Sequence, residues 1–118
     1  MSAVTSEDTA SERFARAIEE RNLWAAEAAL NELAHQPTLE EGLGYLDLLA
    51  EQRPEKLELA CVRWHGRLET EASRLSLADS QVALTALATL CLGEPHGITM
   101  LRRLLQQVKP DPCSLRAR

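Results

Sequence analysis

Leucine and alanine supply 38 of the 118 residues while valine and isoleucine supply 6, and this imbalance constrains the fold more than any other feature. Strands favour β-branched and aromatic side chains, whereas leucine and alanine are among the best helix formers, so the bias predicts an all-α protein. The length fits one domain able to bury somewhat over ~60% of its unfolded surface. With 45% hydrophobic and 26% charged residues, the chain lies within the ordinary globular range and outside the disorder regime.

Apolar periodicity and helix punctuation divide the chain into six helices. Residues 1–10 lack periodicity and read as a disordered start. Ser11 is the expected N-cap of a first helix carrying Phe14, Ala17 and Ile18, and Asn22 caps a second helix closed by Pro37. Thr38-Leu-Glu-Glu41 has the capping-box pattern and opens a third helix, which buries Leu39, Leu43, Leu46, Leu49 and Ala50. Leu48 points away from that stripe. Pro54 suits the first position of a fourth helix running to Ser73 or Leu75.

Ser76-Leu-Ala-Asp79 opens a fifth helix that stops at Gly93, and Pro95 begins a sixth that ends before Pro110. Between Ala78 and Gly93 the only charge is Asp79, which predicts a helix with neighbours on nearly every side. Residues 11–109 thus read as a single helical domain and 110–118 as a basic tail. Short joints imply antiparallel hairpins, arranged as a compact helical bundle or a short stack. The stack resembles tetratricopeptide-like α-solenoids in architecture alone: the spacings between successive odd-numbered helices differ, about 27 and then about 38 residues, and the repeat's consensus does not appear in register.

Cys61-Val-Arg-Trp-His-Gly-Arg67 concentrates groups that also occur in reactive sites. On a wheel of the fourth helix, Leu57, Cys61, Trp64, Leu68, Ala72 and Leu75 fall within about 80°, with His65 just beyond one edge. This is a core stripe. Cys61 and His65 have the four-residue spacing of two metal ligands on one helix, yet His35, His96, Cys91 and Cys113 each stand alone as further ligands. A Cys-His nucleophile needs an exposed thiol, and Cys61 is in the middle of the apolar arc. No cofactor, metal or catalytic constellation is expected, and the chain reads as non-enzymatic.

The opposite side of the same helix gathers Lys56, Arg63, Arg67 and Arg74 within about 40°, a basic ridge ~27 Å long. Glu71 is placed to pair with Arg67 and Arg74. A second basic cluster comprises Arg102, Arg103, Lys109, Arg116 and Arg118. Trp24 lies about 100° off the core stripe of the second helix, and with Leu48 it is the expected exposed apolar contact. Trp64 is expected in the core.

The net charge is −5, distributed as 11 acids and 3 bases over residues 1–52 and as 7 acids and 10 bases over 53–118. That sign argues against a dedicated nucleic-acid binder. No apolar run reaches the ~18 residues of a membrane span, and the polar, acidic N-terminus is unlike a signal peptide. Cytoplasmic location is expected, with free thiols in a reducing compartment because the three cysteines are odd in number and widely spaced. These features point to a protein-protein interaction module, an adaptor or regulator able to self-associate as a homo-oligomer. It would bind another protein or itself through Trp24, Leu48 and the ridge of Lys56, Arg63, Arg67 and Arg74. The alternative is a nucleic-acid-associated regulator, such as an antitoxin or accessory transcription factor, using the basic ridge and basic C-terminus. Neither a membrane nor a small-molecule substrate is indicated.

Overall fold

The computed structural model describes residues 6–108, and among them every regular element is helical. The order is α1 (Ser6–Glu19), α2 (Leu23–Glu32), α3 (Leu39–Gln52), a 3₁₀ turn (Pro54–Lys56), α4 (Leu57–Glu71), α5 (Leu77–Cys91) and α6 (His96–Val108). No helix among the described residues is long and apolar enough to cross a membrane. The chain forms two compact units that divide between Leu57 and Glu58. The basic tail at 110–118, together with Lys109, Cys113, Arg116 and Arg118, lies outside the described residues, as do residues 1–5 of the expected disordered start.

The first unit is built on the α1–α2 hairpin. Helix α1 begins at Ser6, five residues ahead of the expected cap, and Ser11 is inside it. Residues 6–10 are therefore helical, because Ala10, one turn before Phe14, is already a core position. The hairpin turn is a Schellman motif: Asn22 N–H donates to the Ala17 carbonyl at 2.9 Å and Arg21 N–H to that of Ile18 at 3.1 Å. The motif needs a left-handed residue, and Arg21 takes that place at φ 56°. A side chain there costs ~1–2 kcal/mol. Arg21 offsets this by binding α3, with its guanidinium 2.6 Å from Glu51 and 3.4 Å from Asp47 while its carbonyl accepts from Gln52 at 2.9 Å. Asn22 then caps α2, its side chain accepting from Ala25 N–H at 3.1 Å.

The Thr38 capping box forms as the sequence predicts, with Thr38 accepting from Glu41 N–H at 3.1 Å and Glu41 from Thr38 N–H at 3.0 Å. Helix α3 is covered on more than its leucine stripe. Gly44 faces Ile18 of α1 so closely that an added Cβ would lie 2.7 Å from the isoleucine Cγ2. Leu48, one turn further along that side, is 0% exposed. The expectation of an exposed Leu48 is thus corrected, because α3 has buried positions on both sides of its axis.

The second unit contains α4, α5 and α6. The Ser76 capping box opens α5, with Ser76 accepting from Asp79 N–H at 3.0 Å and Asp79 from Ser76 N–H at 3.2 Å. Gly93, at φ +92°, closes it in a second Schellman motif through Glu94 N–H to Thr89 O and Gly93 N–H to Leu90 O. Helix α5 packs chiefly on α6 and buries Ala83, Ala86, Leu87 and Leu90, of which Ala86 and Leu90 face Gly97. It does not have neighbours on every side: Leu77, Val82 and Leu84 are exposed. Its lack of charge marks an apolar outer surface as well as an apolar core face.

Helix α6 approaches α5 at Gly97, where a Cβ would lie 2.5 Å from the Ala86 carbonyl oxygen. Gly66, in the interior of α4, has nothing within 4 Å of the same added atom. The identical substitution has opposite signs at these positions. Gly97→Ala is expected to cost at least ~1–3 kcal/mol by forcing the helices apart, and Gly66→Ala to stabilise by ~0.5–1 kcal/mol through helix propensity. Urea denaturation of the two variants checks this, and equal shifts in midpoint would refute the close approach at Gly97.

Candidate partner-binding surface

Helix α4 positions most of the residues singled out by the sequence. Its inner face matches expectation over most of its length: Leu57, Cys61, Trp64 and Leu68 are buried, Trp64 at 4% exposure, as is Ala72 just past the helix end, whereas Leu75, beyond that end, is only half-buried. His65 stands at the margin. Its Nε2 is 3.1 Å from Ser80 Oγ on α5, and the Ser80 hydroxyl donates to Glu69 Oε2 at 2.6 Å. With its proton given to Glu69, the hydroxyl accepts from His65 Nε2–H. This three-residue cluster joins α4 to α5 and satisfies Ser80, the one buried polar residue among those described.

Cys61 and His65 turn to different partners. Cys61 Sγ lies 3.8 Å from Cys91 Sγ at the end of α5, whereas His65 engages Ser80. No group of three or more metal-ligating side chains forms among the described residues. Burial is the main reason that the Cys61 thiol is pushed up from 9.0 to about 12, with neighbouring Cys91 acting in the same direction.

The basic ridge changes character. Helix α4 starts at Leu57 and ends at Glu71, so Lys56 lies in the 3₁₀ turn and Arg74 past the helix end. Only Arg63 and Arg67 share the helix face, ~6 Å apart along its axis. Arg67 is held by Glu71, Nε to Oε2 at 2.8 Å, and Lys56 reaches Glu27 at 3.4 Å. Neither Arg63 nor Arg74 has an acidic partner among the described residues. The continuous four-charge ridge is thereby corrected to two neutralised cations and two open ones.

On the side away from Arg67, Arg63 has apolar neighbours. Leu59 and Val62 are exposed on its side of α4, and with Gly66 they repeat at helical spacing. Leu59 lies diametrically opposite the core stripe on the wheel, so its exposure could have been found from the sequence. In the first unit, α2 buries Leu23, Ala26 and Ala29 and leaves Trp24 81% exposed. Exposed Ala28, one turn on, adds no bulk beside the indole. Glu27, on the same helix, also accepts from the Tyr45 hydroxyl at 3.1 Å; burial first, then Glu27, raises Tyr45 from 10.0 to about 12.

Comparison with protein-family models, curated proteins and solved structures finds no match.

Leu48→Ala is expected to lose ~2–5 kcal/mol in a denaturation experiment, as befits a fully buried leucine, and Trp24→Ala less than ~0.5 kcal/mol. A comparable loss for both variants would contradict their placement. Cys61 and Tyr45 both hold their protons more tightly in the fold than in the unfolded chain. The stability they contribute is present below about pH 9 and lost as the pH rises towards 12. Denaturant midpoints should fall across that window, and Tyr45→Phe should flatten the part between about 10 and 12. An unchanged alkaline slope in Tyr45→Phe would rule out its share.

Proposed function

We propose that this protein is a non-enzymatic, cytoplasmic protein-binding module that docks a partner, another protein or a second copy, on its exposed apolar side chains. The observation that carries this reading is the 81% exposure of Trp24 on a capped, well-packed helix. A tryptophan offers a large, rigid contact area at small entropic cost and is enriched among residues that dominate binding energy. Leu59 and Val62 beside the open Arg63 provide a second surface of the same kind, apolar with a charge that orients the encounter. The asymmetry between an acidic N-terminal half and a basic C-terminal half suits a partner of mixed charge. A nucleic-acid role has less support, since Lys56 and Arg67 already have carboxylate partners that phosphates would have to displace.

The test is affinity capture with the full chain, run alongside Trp24→Ala and Arg63→Glu, and light scattering of each protein alone. Trp24→Ala is expected to weaken the recovered complex, or the self-associated species, by ~2 kcal/mol, about 30-fold, without loss of fold. Arg63→Glu should mainly slow association and reduce its salt dependence. A strict monomer whose recovered partners are unaffected by either substitution would refute the proposal.

A further inference from the structure

Cys61 and Cys91, 30 residues apart in sequence, are brought to an Sγ–Sγ distance of 3.8 Å, the contact distance of two unbonded sulfurs. They differ in access. Cys91, the last residue of α5, is exposed, whereas Cys61 is 5% exposed on the inner face of α4. An oxidant from solvent therefore reaches Cys91 first, and the group in contact with the product is the Cys61 thiol. This is the arrangement of a reacting cysteine with a resolving cysteine beside it.

We propose that Cys61 and Cys91 are an oxidation site that closes to an intramolecular disulfide when the protein meets hydrogen peroxide. In the first step the Cys91 thiolate attacks one peroxide oxygen and the O–O bond breaks. Cys91 becomes a sulfenic acid, and the departing hydroxide takes up a proton to leave as water. In the second step Cys61 sulfur attacks the Cys91 sulfur, the S–O bond breaks, and the Cys61 proton leaves with the hydroxide as a second water. Two thiols are oxidised by two electrons in all, and one peroxide is reduced to two waters. The sulfurs must close from 3.8 Å to the ~2.05 Å of a disulfide, a movement within reach of side-chain rotation.

The bond ties α4 to the end of α5. Those two helices, with the α5 cap Leu92, carry six of the seven large apolar side chains exposed among the described residues: Leu59, Val62, Leu77, Val82, Leu84 and Leu92. Oxidation would thus lock the two helices of the second unit that carry its apolar surface. The inference does not rest on what that surface binds.

The experiment treats the full native chain with stoichiometric hydrogen peroxide, quenches it, and counts free thiols after denaturation. Tryptic mapping by mass spectrometry then follows. The expected result is a fall from three thiols to one in the monomer, with a cross-link joining the peptide of residues 57–63 to that of 75–102, reversed by dithiothreitol. The Cys113→Ser variant, which leaves both residues of the pair in place, should fall from two thiols to none with the same cross-link. Three thiols surviving treatment, a cross-link to Cys113, a disulfide between chains, or Cys91 oxidised to the sulfinic acid while Cys61 stays free would each overturn the proposal.

Discussion

Within each of two hairpins, α1–α2 and α5–α6, the paired helices bury small residues, alanines in the first and alanines with a glycine in the second. Helix α1 contributes Ala10 and Ala17 to the buried side, and α2 contributes Ala26 and Ala29. In α5 and α6 the corresponding residues are Ala83, Ala86 and Gly97, the last so close to the Ala86 carbonyl that a methyl group has no room. Small residues let helix backbones approach closely, and the leucines above and below then fill the space that the approach defines. Fully buried leucines such as Leu43, Leu46, Leu68 and Leu101 each contribute ~1.5–3 kcal/mol relative to exposure.

The turns that close these hairpins use one hydrogen-bond pattern with two different residues. Gly93 adopts the left-handed conformation at no steric cost, whereas Arg21 adopts it against its side chain's preference. Arg21 then binds Asp47 and Glu51 on α3, so the strained turn also joins the hairpin to the third helix. Arg13 and Glu32 pair across α1 and α2. The acidic half of the chain thus uses two of its three arginines to hold the first unit together.

On α4, packing divides chemistry from surface. Cys61 and Trp64 face inward with His65 at the margin, where burial suppresses ionisation of the thiol and hydrogen bonding engages the imidazole. Arg63 faces outward, with exposed Leu59 one turn before it on the same side and exposed Val62 further round. A single helix therefore carries both a packing face joined to α5 and an apolar-basic outer face, and with Trp24 on α2 these are the features on which a binding role rests.

Helix identity, number and most boundaries were legible in the sequence, because caps such as Asn22, Thr38 and Ser76 act within one turn and the core stripe of α4 needs only its own periodicity. Trp24's position off the stripe of α2 was visible in the same way. Leu48 was not, since its burial depends on cover that α3's own pattern does not describe. The outer face of α5 was hidden for the converse reason: a helix without charges has no polar face to mark its exposed side. The Arg67–Glu71 pair within α4 was legible from its spacing, but the ridge of Lys56, Arg63, Arg67 and Arg74 dissolved because Lys56 meets Glu27 from α2 and α4 spans only Leu57–Glu71. By itself, then, the sequence determined local structure, through interactions spanning three or four residues. Only the tertiary structure decided which apolar side chains are covered, which cations stay open and that Cys61 meets Cys91, because each of these depends on a surface supplied from elsewhere in the chain.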